Sequence, residues 1–533
     1  MHVVVGCRVH APAGAPDEAF GALLESRLRP LARTFATHPG ARLAVRVTGP
    51  VWEHFEASLP EAVEPLIEAG DRIDWLGGGW SDPILSMFPR RDRERQLVRE
   101  AEEMTDRVGR APTGAWPAAD AWQPDLVETL EEASLGYALI PVEALAAAGN
   151  DPSLLSRPRV TDHLGSTIAL IPVATVNRPD TLADKLLELH RTDPDGCIAL
   201  VGEDVEHLVD TIADLPSVCL TTPTDYLTEH RPEGSVVLPD AWESDWRRMI
   251  ANDRRVGLLH RKTLRLSNRL GERKAPAVSD GLVAAQSHDS YGRGVYAGAS
   301  RRAAVRALIQ AETAWEKTRQ RGSSWSKVTR LDWDADGDED LHVRTAELSA
   351  VIDPGNGRFA YMDVRSGNWA MTDVGGAAAL MLCRYEPAAD GLLPAVDRWT
   401  TEAIEDDRGQ TFLTFSHDLG LLQLGFDRNR LSATMTWQGA APGRYGLALP
   451  IAAEPADTKV RVDGGDWSPT SRPRLLAGHR FRVINESQGR QVLITLPMPG
   501  QMAVLPTGRD GLTLWPHWEV NGNGEYELTA EFG

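Results

Sequence analysis

The chain has few of the features that would tie it to a membrane, a nucleic acid or an oxidising compartment. None of its hydrophobic runs reaches the roughly 18 apolar residues that a membrane-crossing helix needs, so no span is expected. The formal net charge is -20, with both signs interspersed along the chain. That excludes the basic face on which phosphate backbones are held. There are four cysteines, Cys7, Cys197, Cys219 and Cys383, with no CxxC pair among them. Set in apolar runs such as VVVGCRV and DGCIALVG, they read as core side chains rather than bridges or ligands. The N-terminus, MHVVVGCRVH, lacks a basic segment leading into a long apolar one and a cleavage site, so a soluble cytoplasmic protein is expected. Low-complexity tracts and 20–50-residue repeats are also missing.

What is present is a 533-residue chain, 42% apolar, long enough for two or three domains. Up to about Tyr226, the runs HVVVGCRV, RLAVRV, RIDWLGG, GYALIP, TIALIPV and CIALVG read as strands apolar on both faces. Amphipathic stretches such as AFGALLESRLRPLARTFATH lie between them. This alternation predicts a parallel sheet or barrel covered by helices, and periodicity alone does not separate the two. From about Asp240 to Arg321 the pattern is helical, with NDRRVGLLHRKTLRLSNRL and SRRAAVRALIQAETAWEKTRQR flanking a Gly-, Ser-, Tyr- and His-rich loop. After Ser323, short alternating segments (LHVRTAELSAVID, RFAYMDV, TFLTFSH, LSATMTW) recur between turn residues, as in a β-sandwich. The acidic run Asp332, Asp334, Asp336 and Asp340, with Gly337 at the turn, has oxygen ligands spaced for a structural Ca²⁺. Val343 stands where an EF-hand would close with Glu, and an acidic turn without an ion is the equal alternative.

The segment DWLGGGWSDPILSMF resembles the Gly-Gly-aromatic-x-Glu-Pro-Ile-Leu segment of glycoside hydrolase family 57, which holds 4-α-glucanotransferases and α-amylases. Further segments resemble the family's in the same order: VHAP with His10, GAWPAADAWQPDLVETL, VGEDVEHL and AQSHDSYGRGVYAG. The resemblance implies an incomplete (β/α)7 barrel over 1–235, a helical region completing the cleft over 236–325, and a C-terminal β-sandwich over 326–533. It also implies a saccharide or glycosylated small molecule as ligand, with Trp80, Asp82, Trp116, Trp122, Gln286, His288, Asp289, Tyr291 and Arg293 lining the site. No partner in nucleic acid or membrane is expected, the oligomeric state is not read from the sequence, and no cofactor is expected for catalysis.

The substitutions within these segments bear on the chemistry. Retaining glycosidases need two carboxyl groups about 5–5.5 Å apart, one of them a nucleophile. Alignment on Trp116, Trp122 and Pro124 places Ala119 at the nucleophile position, with Asp120 next to it. If this stretch is a strand, adjacent side chains oppose each other, and Asp120 replaces the nucleophile only after a local rearrangement. Asp204, at the end of the run CIALVG, is the expected general acid/base, with His10 as a possible companion. Asp82 stands in the Glu position, His288 in an Asn position and Arg293 in a His position. Three outcomes stay open: a substitute nucleophile, acid/base chemistry without a covalent intermediate, or a glycan-binding or regulatory protein without turnover. A metal variant built from His10, Asp120, Asp204, His288 and Asp289 is the less favoured alternative.

Overall fold

The computed structural model describes residues 1–149, 156–239, 246–273, 275–320, 325–370, 379–386, 391–395, 398–407, 409–507 and 511–533. Two compact units emerge, one of Met1–Val256 with Thr263–Ala304, the other of Gly257–Lys262 with Val305–Gly533.

The first unit is built on strands β1 (His2–Val9), β2 (Leu43–Val47), β3 (Ile73–Gly77), β4 (Gly114–Ala115), β5 (Tyr137–Pro141), β6 (Arg159–His163), β7 (Ser166–Thr175), β8 (Cys197–Val201) and β9 (Cys219–Leu220). Seven of them form a parallel ring in the order β1-β2-β3-β4-β5-β7-β8 and back to β1. The ring closes on β1, which pairs with β8 from His2 to Gly6 and with β2 from Val5 to Val9. The short β9 also pairs with β1, and β6 is an antiparallel flap on β7. All six runs read as strands are present. The additional ring member, β4, is only two residues long and carries no periodicity to read. The stretch AFGALLESRLRPLARTFATH forms helices Asp17–Leu23 and Arg29–Thr37, joined by a π-helical turn over Leu24–Leu28.

Beyond the barrel come helices Trp246–Asn252, Arg254–Leu270, Pro276–Ala285 and Ala297–Lys317. In the second unit, among the described residues, antiparallel sheets of six and twelve strands share one apolar core. Leu341, Ile352 and Phe359 from the smaller sheet pack with Leu413, Phe426 and Phe481 from the larger. The expected β-sandwich is thus present. Cys7, Cys197 and Cys383 are buried as expected, whereas Cys219 is exposed. Among the described residues no helix is long and apolar enough to cross a membrane.

Candidate functional site

Strand alternation sets the site. On β1, Val3, Val5, Cys7 and Val9 join the core between barrel and helices. Val4 belongs to a separate core with Ala44, Leu76, Trp116 and Tyr137 inside the ring. By the same parity Gly6 and Arg8 turn inward on β1 and Arg46 on β2, with His10 and Thr48 following just past the strand ends. Gly6 leaves room for the Trp116 ring, which a Cβ there would meet at 3.4 Å. The interior therefore passes from apolar residues low in the ring to cationic and polar ones at the C-terminal ends of the strands.

At that end a glycine turn presents Asp82. Gly78 and Gly79 take φ of 154° and 104°, and both their N–H groups donate to Glu100 Oε2 at 2.8 Å. Asp82 follows with a left-handed φ of 56° and is fully buried. Its Oδ1 lies 2.6 Å from Arg46 Nη2, in an ion pair with 0% exposure on both side chains. Arg46 also donates to the carbonyls of Gly79 and Trp116, which fixes the guanidinium in place. Oδ2 of Asp82 lies 3.2 Å from His288 Nδ1 and 3.5 Å from His10 Nδ1. None of these approaches has hydrogen-bond geometry at the carboxylate.

The two imidazoles stand side by side, 5.0 Å between centroids. Opposite Asp82 they meet Asp289, whose Oδ2 is 2.9 Å from His10 Nε2 and whose Oδ1 is 3.6 Å from His288 Nε2. The loop that brings His288 and Asp289 is pinned to the Asp82 turn by a β-bridge between Pro83 and Ser287 and by the His288 N–H on the Asp82 carbonyl at 3.1 Å. His288 Nδ1 also faces that carbonyl at 3.0 Å. A carbonyl only accepts, so this nitrogen carries the proton.

Burial and charge pull the groups apart. Burial by itself would raise the Asp82 carboxyl, but Arg46, His10, His288 and Arg8 outweigh it and hold it well below the ordinary range. Asp289 is likewise lowered, with the His10 hydrogen bond and His288 overcoming burial. Burial would lower His288, yet the nearby Asp82 carboxylate and carbonyl and the charge of Asp289 push it up to about 9. Asp120 moves the other way: burial raises its carboxyl against the pull of Arg8.

Asp120 does not sit on a strand. β4 ends at Ala115, and Ala118–Asp120 forms a 3₁₀ turn in which Ala119 and Asp120 have φ of 51° and 50°. The rearrangement that strand alternation required for Asp120 is therefore present. Beneath it Arg8 donates to the carbonyls of Trp116 and Pro117 at 2.9 and 2.7 Å and lies 4.7 Å from the Trp116 ring.

His10, Asp82, His288 and Asp289 converge; other expected site residues support the fold around them. Trp80 is buried, its Nε1 on Glu53 at 3.1 Å, with the guanidinium groups of Arg99 and Arg107 over its ring. Trp122 lies in the apolar core with Leu126 and Leu130. Gln286 accepts from Gln96 at 2.9 Å and donates to Asp92 at 3.1 Å, both contacts buried. Tyr291 is fully buried and donates to the Ala285 carbonyl at 3.0 Å. Trp116 lines the ring interior, and Arg293 is exposed. Asp204 lies at the same end of the barrel, three residues beyond β8, but is exposed. Its Oδ1 accepts the His207 N–H at 3.0 Å as the N-cap of helix Val205–Ala213. In the second unit the carboxylates of Asp332, Asp334 and Asp336 lie close together. Asp340 stands apart from that group, accepting the Trp333 N–H at 2.6 Å. Sequence reading missed Arg8 and Arg46, although both share the parity of His10 within runs otherwise apolar.

A closed parallel barrel with its charged side chains at the C-terminal strand ends is the layout in which barrel enzymes carry their sites. Residues 10–183 match the family model for glycosyl hydrolase family 57. Among curated proteins, an α-amylase of Pyrococcus furiosus is 24% identical over 427 residues, covering 67% of this chain and 64% of that protein. A 4-α-glucanotransferase of Thermococcus kodakarensis is 23% identical over 427 residues, covering 67% and 63%. The chain thus spans a little under two thirds of the length of these relatives. The crystal structure of a 4-α-glucanotransferase from Thermococcus litoralis has the same fold over 100% of this chain and 99% of its own, with a TM-score of 0.82 at 16% identity.

Proposed function

We propose that the protein acts on an α-linked saccharide or a glycosylated small molecule, and that it does so without a glycosyl-enzyme intermediate. The convergence of His10, Asp82, His288 and Asp289 at the C-terminal end of the barrel carries this reading. The relatives named as α-amylase and 4-α-glucanotransferase supply the substrate class. The methyl group of Ala119, taken as the nucleophile position, forms no bond to an anomeric carbon. The alternative is direct displacement by water or an acceptor hydroxyl, held by the His10–Asp289 pair, while an acid protonates the departing oxygen. Asp120 suits the acid role because burial keeps it protonated to higher pH than an ordinary carboxyl.

The test is NMR of a maltooligosaccharide series incubated with wild type, Asp120→Asn and Asp204→Asn. New anomeric products from wild type and Asp204→Asn, with little or none from Asp120→Asn, support the assignment. Wild-type turnover falls on the alkaline side as Asp120 loses its proton. Loss in Asp204→Asn alone would move the acid to the rim of the barrel. Binding without products in any of the three would make the protein a glycan binder.

A further inference from the structure

We propose that His10, His288 and Asp289 form a three-ligand site for a divalent transition-metal ion of the zinc or cobalt kind, with Asp82 as the positioning residue beneath it. The two histidines show matched roles for their ring nitrogens. On the inner side His288 Nδ1 faces the Asp82 carbonyl at 3.0 Å, and His10 Nδ1 faces the Thr48 hydroxyl, which is able to accept, at 3.2 Å, with Asp82 Oδ2 3.2 and 3.5 Å from the two. A proton on each Nδ1 satisfies that side. Without an ion His10 Nε2 donates to Asp289 at 2.9 Å; an ion that displaces the protons on the outer side meets both Nε2 lone pairs and the carboxylate together. A carboxylate behind a metal-binding histidine is the arrangement that fixes tautomer and ring angle.

Spacing agrees. Ligand atoms bound at about 2.0–2.2 Å in tetrahedral geometry lie roughly 3.3–3.5 Å apart. The Nε2–Oδ distances to Asp289 are 2.9 and 3.6 Å, and one donor atom from each of the three residues falls within a 4.8 Å group. Imidazole nitrogen with a carboxylate oxygen suits a borderline ion over a hard one such as Ca²⁺. Asp82 adds to this: it is fully buried, its Oδ1 is held by Arg46 at 2.6 Å, and its Oδ2 is left facing both histidines. Three protein ligands leave a fourth position, and the partial exposure of His10, His288 and Asp289 opens it to an incoming oxygen. Only the use of that position on a sugar rests on the function proposed above; the binding stands by itself.

The test uses the full chain, stripped of metal by chelator and titrated with Co²⁺ alone. Saturation at one equivalent is expected, with visible absorption of an ion in a nitrogen and oxygen environment that Zn²⁺ displaces. Proton NMR of the Co²⁺ form should show two shifted exchangeable resonances, one from each Nδ1–H. Metal binding should vanish in His10→Gln/His288→Gln, persist in Asp332→Asn, and weaken by about 10–100-fold in Asp82→Asn. No stoichiometric binding by wild type, binding that survives the double substitution, or fewer than two shifted resonances overturns the site. The resonance count decides even where a variant fails to fold. Co²⁺ bound as expected with no sugar altered keeps the metal site and removes the carbohydrate reading. Sugar turnover by a chain that binds no metal does the reverse.

Discussion

The first unit keeps a fully buried ion pair, Arg46–Asp82, beneath His10, His288 and Asp289, whose side chains are 16%, 23% and 16% exposed. The second unit keeps Lys262 with Glu312 and Asp363, and none of these side chains exceeds 6% exposure. There the Tyr361 ring covers the Lys262 ammonium at 4.5 Å, and a further buried pair joins Arg344 to Glu316. Both groups bring opposite charges out of water, which is tolerable only where partners are close. The second group is closed on all sides, and its charges tie the helix segments that carry Lys262, Glu312 and Glu316 to the smaller sheet. The first group is open at one end, and its outer ring nitrogens face a carboxylate that solvent reaches. Openness, rather than the presence of buried charge, separates a candidate site from a structural cluster.

The strongest way to break this comparison is to remove one cation from each. Arg46→Met and Lys262→Met should each cost about 3–5 kcal/mol, because an unpaired carboxylate stays behind in a buried site. Denaturant unfolding of the two variants measures it. Residual sugar turnover should fall in Arg46→Met and hold in Lys262→Met under conditions where both remain folded; equal loss would erase the distinction. A finer comparison replaces one ring-bearing partner in each group. His288→Asn should lower turnover, because the contacts to the Asp82 carbonyl and to Asp289 are lost. Tyr361→Phe, which removes a 3.0 Å contact to His342 Nε2, should cost about 1 kcal/mol in unfolding and leave turnover unchanged. The smallest effect belongs to the rim. Asp204→Ala deletes an N-cap and should cost about 1 kcal/mol, read as a drop in melting temperature. A turnover loss well beyond that destabilisation would return Asp204 to the chemistry.

Much of the fold was legible because buried parallel strands are written as continuous apolar runs. The exception among the ring members, Gly114–Ala115, is held by β3 and β5 on either side and needs no pattern of its own. The site was legible in part. His10, Asp82, His288 and Asp289 stood out by resemblance, but their mutual contact depends on a loop more than 200 residues away, which no local pattern encodes. Arg46 could have been found by counting parity along RLAVRV, where a cation on a strand buried on both faces needs a partner inside the ring. The tryptophans misled in the opposite direction: an aromatic in a sugar-binding segment reads as a stacking platform, and Trp80 and Trp122 are instead packed into the walls. Asp204 has the sequence context of a helix cap, Asp before Val-Glu-His, and the exposed cap is what the fold makes of it.

The β-bridge between Pro83 and Ser287 has a consequence for the order of events during synthesis. His10 and Asp289 are 279 positions apart, so the ribosome releases one wall of the site long before it makes the other. Seven ring strands, complete by Val201, can close while His288 and Asp289 are still unmade. A nascent chain halted in that interval would have Asp82 on Arg46 and a groove open along one side. Co-translational pulse labelling of the two histidines would therefore find His10 accessible until the helix Pro276–Ala285 docks, and shielded from then on.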